Sequence, residues 1–275
     1  KNHHVVGTFG QHVLSMTIML GTGEVVTVSP IEHADLFYAT CGGMGLTGVI
    51  LTATIQLIPI RSAFVSQKTI KAKSLEALCE AFEVNSKSTY SVAWIDCLAT
   101  GKNVGRSVLM LGEHAERGGF DLTIKDGIDV PIHTPAVLLN RLTMRTFNNA
   151  YWIKFKDKKK QTVPLMPYFY PLDILNGWNK LYGKAGFVQY QFVLPKAHGV
   201  VNIRKILNQI IQSDQGPFLA VLKQFGKSNK NLLSFPIEGY TLALDFKMTK
   251  SIISILHKLD DMVADMGGRI NLTKD

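Results

Sequence analysis

Cys41-Gly42-Gly43-Met44-Gly45-Leu46-Thr47-Gly48-Val49-Ile50 packs four glycines into seven residues, between two segments of different periodicity. Ahead of it, Ala34 to Ala39 has the apolar spacing of a short helix. After it, Val49 to Ile58 is rich in β-branched residues and predicts a strand. Glycines there permit positive φ and close approach of another backbone or a ligand. The order is helix, glycine turn, strand. A dinucleotide fingerprint needs the reverse, strand, glycine loop, helix, so this turn is not one. By itself it fits either a tight structural turn or the wall of a flat cofactor site.

Upstream, Thr17 to Leu20 and Glu24 to Ser29 flank Gly21-Thr22-Gly23 and predict a hairpin. Before it stands Gly7-Thr8-Phe9-Gly10. The series is Gly-Thr-Phe-Gly, strand, Gly-x-Gly turn, strand, short acidic helix, Gly-Gly-x-Gly-Leu-x-Gly, strand. In that order it resembles the second half of the flavin domain in the vanillyl-alcohol oxidase type of FAD oxidoreductases.

The chain has 275 residues, 46% of them hydrophobic, enough for one large or two modest domains. It starts at Lys1, inside a motif, and is expected to be part of a longer protein. No apolar run is long enough to span a membrane. Cys41, Cys79 and Cys97 form no CxxC pair and suggest reduced thiols in a cytoplasmic setting. His3 and His4, read as strand neighbours, would point to opposite faces, so no metal site is expected. The net charge of +9 suits anionic lipid or phosphorylated substrates. No nucleic-acid motif accompanies it, and no nucleic-acid partner is expected.

From residue 62 onward, strands are expected near 63–71, 90–97, 105–113, 186–195, 218–225 and 240–246. Helices are expected at 74–82, capped by Ser74, and at 136–147, about 174–181, 200–213 and 251–266, the last ended by Gly267-Gly268. The fold class is therefore α+β: a partial flavin domain over 1–61, an antiparallel-sheet substrate domain with flanking helices over 62–268, and a return segment over 269–275. Residues 114–165, broken by glycine and proline, are expected to be irregular, mobile in part or folded as a lid. Tyr151 to Phe155 beside Asp157-Lys158-Lys159-Lys160 fits either a core helix with a solvated loop or a membrane-surface contact. Gln189 and Gln191 share a strand face and could line a polar pocket.

Further segments sharpen the resemblance: Lys1 to His4, Pro171-Leu172-Asp173, Trp178-Asn179, Gly186 to Val193, Leu233 to Ile237, and Gly267 through Asp275. They are similar to the decaprenylphosphoryl-ribose oxidase family, with aldonolactone oxidases as relatives. The resemblance implies FAD as cofactor and a sugar, or lipid-linked sugar phosphate, as substrate. It also implies an NAD-dependent reductase as partner and a cytoplasmic place, peripheral at the inner membrane. It puts Asn2, Gly43, Gly45, Ile50 and Asn271 at the flavin. It puts Lys1, Gln189, Gln191, Lys223 and Asp245 at the substrate, and Lys274 as the catalytic group. Three positions depart from the family: Asn271 stands where tyrosine is frequent, Phe169 at another tyrosine, and Ala243 at a cysteine. A lysine normally titrates near 10.4, so Lys274 can act as a base only where burial or a neighbouring cation lowers it. The rival readings are an aldonolactone oxidase and a non-catalytic lipid-phosphate or membrane-surface binding module.

Overall fold

A computed structural model describes residues 3–122, 126–135, 138, 140–213 and 215–274. Lys1 and Asn2 lie outside the described residues, as does part of the 136–147 stretch. His3–Val6 is a helical turn, α1, where a strand reading had been natural. The His3 ring accepts a hydrogen bond from the Gly226 N–H at 3.0 Å and packs 4.5 Å from Phe225. His4 Nε2 bonds the Ser88 carbonyl at 2.8 Å. Both rings anchor the chain start on the body that follows.

Three strands make the first sheet: β1 (Val13–Met19), β2 (Val25–Val28) and β3 (Val49–Ile55), in the order β2-β1-β3 and antiparallel throughout. The hairpin turns at Gly21 to Glu24 as expected. Helix α2 (Ala34–Thr40) closes one face through Phe37, which packs with Met16, Ile18 and Val28. Two of the glycines after α2 are steric necessities. A Cβ on Gly43 would stand 2.0 Å from the Ala39 carbonyl oxygen, and one on Gly48 2.3 Å from that of Met19. Every residue of β3 is exposed, a row of apolar side chains at the sheet edge.

Among the described residues ten further strands follow: β4 (Phe64–Ala72), β5 (Tyr90–Ile95), β6 (Ser107–His114), β7 (Ile128–Asp129), β8 (Lys160–Pro164), β9 (Leu175–Asn176), β10 (Phe187–Pro195), β11 (Leu219–Phe225), β12 (Gly239–Lys247) and β13 (Arg269–Ile270). Eight of them form one antiparallel sheet, ordered β13-β10-β12-β11-β5-β6-β4-β8; β7 and β9 pair apart from it. Helices α3 (Leu75–Val84), α6 (Gly199–Gln212) and α7 (Ile252–Asp265) cover one face. Tyr190, Phe192, Leu242, Leu244, Leu222, Ala93 and Leu109 point into that layer, against Leu78, Phe82, Ile203, Leu207 and Leu259. Ser74 caps α3, its hydroxyl accepting from the Ala77 N–H. This is the α+β architecture that the sequence implied.

Residues 114–165 carry more regular structure than expected. A fourteen-residue helix, α4 (Arg141–Lys154), begins at Asn140, whose side chain accepts from the Leu142 and Thr143 N–H groups at 2.9 and 3.1 Å. The helix thus starts later than Pro135 suggested and includes the aromatic segment. Tyr151 packs 4.7 Å from Trp94, and Lys71 lies 4.3 Å over the Trp152 ring, so these aromatics face the body of the protein. Lys160 belongs to β8 and pairs with Lys68 at the sheet margin, not to a free loop. A short helix, α5, covers Leu165–Phe169. The helix expected near 174–181 is replaced by two 3-10 turns around β9, because Gly177 takes a left-handed φ of 67° between them.

Candidate functional site

The face of the large sheet opposite α3, α6 and α7 is polar at one end. Strands β10 and β12 run antiparallel with Gln189 opposite Asp245, Gln191 opposite Ala243, and Val193 opposite Thr241. Strand β11 lies beyond β12, with Leu219 opposite Asp245 and Lys223 opposite Thr241. Period-2 alternation therefore turns Gln189, Gln191, Thr241, Ala243, Asp245 and Lys223 to one side. Small, half-exposed Ala243 sits in the middle of this floor.

A chain of hydrogen bonds crosses the floor. The Lys274 ammonium donates to Gln189 Oε1. Gln189 Nε2 donates to Asp245 Oδ1 at 2.6 Å, and the Tyr182 hydroxyl donates to Asp245 Oδ2 at 3.1 Å. Beside it runs a second chain. Asn271 Nδ2 donates to Gln191 Oε1 at 2.9 Å, Gln191 Nε2 to Thr241 Oγ1 at 3.0 Å, and Thr241 to the Phe192 carbonyl at 2.8 Å. The segment after β13 is held in place by the Asn271 N–H on the Gln191 carbonyl and the Lys274 N–H on the Asn271 carbonyl. That turn delivers Lys274 to the floor.

Burial sets the charges. Asp245 is 2% exposed, and desolvation raises its pKa even though Gln189, Tyr182 and Lys274 favour the carboxylate. Burial also raises the Tyr182 phenol, helped by the Asp245 charge. Lys223 is pulled below its ordinary value by burial first and by the Lys274 charge second.

Next to the floor, between the small sheet and the β13 end of the large one, lies a cavity of about 920 Å³. Phe9, Met16, Met44 and Ile50 give it apolar walls, and Thr8, Thr40, Arg269 and Asn271 give it polar edges. Gly42 also lines it, with φ +74° and with no atom within 4 Å of where a Cβ would stand. Apolar faces with a polar rim suit a flat heteroaromatic ring, and the residues fit the ring of a flavin. Of the residues expected at a flavin, Ile50 and Asn271 line the cavity, whereas Gly43 fills a packing role against Ala39 and Gly45 is not in the lining. Lys1 and Asn2, expected at the substrate and the flavin, lie outside the described residues. Phe169 lies apart from the floor, 4.9 Å from Tyr90. Among the described residues no three His, Cys, Asp or Glu side chains converge as metal ligands.

Two members of the floor were missed by sequence reasoning. Tyr182 stood just past a stretch read as a helix, and Thr241 in a strand where only Ala243 and Asp245 had been singled out. The parity of β12 would have paired Thr241 with Asp245 and Ala243.

Over the whole chain, 33% of 287 aligned residues match the decaprenylphosphoryl-β-D-ribose oxidase of Mycolicibacterium smegmatis, and the match spans 62% of that protein. The chain is thus similar over its whole length to an enzyme named as an oxidase. A second relative, an uncharacterized protein in the mprA 5′ region of Streptomyces coelicolor, is 29% identical over the whole chain and 78% of its own length. The D-arabinono-1,4-lactone oxidase of Yarrowia lipolytica is 35% identical over 69 residues, 25% of the chain and 13% of that enzyme, a weaker match. The chain therefore spans less than two thirds of the first of these relatives. No protein-family model matches it. Among the described residues, no helix is long and apolar enough to cross a membrane.

Proposed function

We propose that the chain is the substrate-binding portion, with part of the flavin-binding portion, of an FAD-dependent oxidoreductase that oxidises a secondary alcohol of a sugar. The observation that carries this is the hydrogen-bond chain Lys274–Gln189–Asp245–Tyr182, laid beside a cavity whose edge is Asn271. The similarity of the whole chain to an enzyme named for a decaprenylphosphoryl ribose supports the same reading and favours a lipid-linked sugar phosphate. Residues 1–61 would belong to the flavin domain, 62–268 to the substrate domain, and 269–275 to the return. Thr8, Gly42, Met44, Ile50 and Asn271 would hold the flavin ring. When bound, FAD supplies the two-electron acceptor for the hydride.

The protein's own part is to orient the alcohol and move its proton. Gln191 and Asn271 offer polar groups to the sugar, and Lys223 supplies positive charge for a phosphate. Lys274 is the group placed to exchange a proton with the reacting hydroxyl, and Gln189, fixed by Asp245, holds its Nζ in position. In the full-length protein holding FAD, anaerobic addition of a sugar-alcohol substrate should bleach the flavin absorbance. A protein that binds flavin yet keeps its colour with every sugar phosphate and aldonolactone tried would contradict the reading. Faster bleaching by an aldonolactone would favour the rival oxidase.

A peripheral membrane place has its own support. Leu142 and Ile153 on α4 are 73% and 75% exposed, and Lys154, Lys156, Lys158, Lys159 and Lys160 follow closely. Apolar side chains beside a basic run suit an anionic lipid surface. Co-sedimentation with phosphatidylglycerol vesicles, lost in Leu142→Ser/Ile153→Ser, tests it. A separate NAD-dependent reductase would complete an epimerisation, since the keto product carries the oxidised carbon that a hydride donor returns to an alcohol.

A further inference from the structure

A polar pocket of about 200 Å³ lies where β5 turns back into β6. Asp96 directly follows β5 and Arg106 directly precedes β6, and the Asp96 N–H donates to the Arg106 carbonyl at 2.9 Å. Thr100 and Asn103 of the connecting turn also line the pocket, as do Arg145 and Asn149 of α4. None of these six residues belongs to the polar floor, so the site stands apart from the proposed oxidation.

Asp96 is 2% exposed and fully engaged. Its Oδ1 accepts from the Leu98 N–H at 3.0 Å and the Asn148 amide at 2.7 Å. Its Oδ2 accepts from Arg106 Nε at 2.9 Å and Nη2 at 2.7 Å. Arg106 Nη2 also donates to Asn149 Oδ1, and the Trp152 ring lies 5.6 Å from the guanidinium carbon. Arg106 is thus held in one orientation and balanced by Asp96. Its Nη1 has no partner among the described residues.

Arg145 is the unbalanced charge. Among the described residues its side chain makes no ion pair and no hydrogen bond. Helix α4 carries no acidic residue, and none stands from Cys97 to Arg106. Two guanidiniums therefore line a small pocket whose one carboxylate is already committed. Thr100, Asn103 and Asn149 add neutral hydroxyl and amide donors. Guanidinium N–H groups ringed by such donors match the oxygens of a phosphate. The volume is below the roughly 300–1,000 Å³ of sites for drug-sized ligands, so the pocket suits one phosphate group with a short ester arm.

We infer that this pocket is a phosphate-binding site separate from the floor. Arg145 supplies its net positive charge, and Arg106, set by Asp96, supplies directed N–H donors. Two sources carry that chemistry, a soluble phosphate and a lipid headgroup. Leu142 and Ile153, 73% and 75% exposed, stand seven residues before and four after Asn149, on the same side of α4. A bilayer resting on that side would bring its headgroups beside the pocket.

The test labels the full-length protein with phenylglyoxal at constant ionic strength and reads arginine modification peptide by peptide. Relative to chloride, inorganic phosphate should slow labelling of Arg145 at least fivefold and leave exposed Arg61 unaffected. The protection should persist in Lys223→Ala, which lacks the anchor expected on the floor. Phosphatidylglycerol vesicles distinguish the sources. Protection at a tenfold lower phosphorus concentration than inorganic phosphate requires assigns the site to a headgroup, and no such advantage assigns it to soluble phosphate. Calorimetry of Lys223→Ala with inorganic phosphate gives a second measurement, in which adding Arg145→Gln should weaken binding at least tenfold. Equal labelling of Arg145 in chloride and phosphate, protection lost with Lys223, or unchanged affinity in Arg145→Gln overturns the inference. Neither assay reads the flavin, so failure of the oxidase reading would leave this result standing, and the reverse.

Discussion

Gln189 donates its amide to Asp245 over 2.6 Å, so a buried carboxylate decides which end of that amide faces Lys274. With Nε2 committed to Asp245, the carbonyl oxygen points to the ammonium. An Asn at 245 can present an N–H where the carboxylate oxygen was, and Gln189 then has reason to turn over and oppose Lys274 with its own NH₂.

Asp245→Asn should therefore slow flavin reduction in the full-length protein about tenfold or more, the scale of one charge-assisted hydrogen bond. Its effect on stability has a pH signature. Burial raises the Asp245 pKa, so above the ordinary carboxylate value of about 3.9 the folded form holds a proton that the unfolded chain has lost. Wild-type stability should fall as pH rises through the folded pKa, and Asp245→Asn should lack that fall. Urea unfolding across pH 4–8 measures both slopes. Parallel slopes would contradict the assignment.

Lys223 gives the opposite sign. Burial and Lys274 lower its pKa, so between the lowered value and the ordinary 10.5 the unfolded chain binds more protons and stability rises with pH. Lys274→Ala removes the neighbouring charge and should shift the pH midpoint for amine labelling of Lys223 upward. Peptide-resolved labelling across pH 6–11 reads this out, and an unmoved midpoint would show that the two amines do not interact.

Among the glycines, the effect of adding a Cβ separates packing from ligand space. Gly43→Ala drives a Cβ to 2.0 Å from the Ala39 carbonyl and should lower stability by several kcal/mol. Gly42→Ala meets no atom and should cost only the left-handed conformation, about 1 kcal/mol. In the full-length protein, Gly42→Ala should weaken FAD retention more than Gly43→Ala does per unit of stability lost. Thermal melts and flavin content after gel filtration compare them.

Much of this architecture was legible because local patterns and tertiary burial agree. Leu75, Leu78, Cys79 and Phe82 were read as one helical face, and all four are buried. The same agreement holds for Gln189 and Gln191, whose shared parity survives in the sheet. Where readings failed, a local signal had a competing explanation. Pro135 resembled a first helical turn, but the cap that starts α4 is Asn140. A left-handed Gly177 divides the segment that periodicity made one helix. Lys158 and Lys159 do lie in an exposed turn, but Lys160, read with them as loop, starts β8, because lysine also suits a sheet margin. The role of Tyr182 needed the third dimension, since 63 residues separate it from Asp245. The wholly exposed β3 has no sequence signature either, because the same apolar row would serve a buried strand.

The central claim is that Lys274 exchanges the substrate proton while Lys223 anchors charge. Single-turnover, anaerobic stopped-flow reduction of the full-length, FAD-loaded protein with saturating substrate tests it directly. Lys274→Ala should retain FAD and reduce it about a hundredfold or more slowly, the lower range for losing a general acid or base. Lys223→Ala should mainly raise the substrate concentration needed, because an anchor contributes similarly to ground and transition states. Reduction of Lys274→Ala at the wild-type rate would contradict the account and move the proton-accepting role to another group.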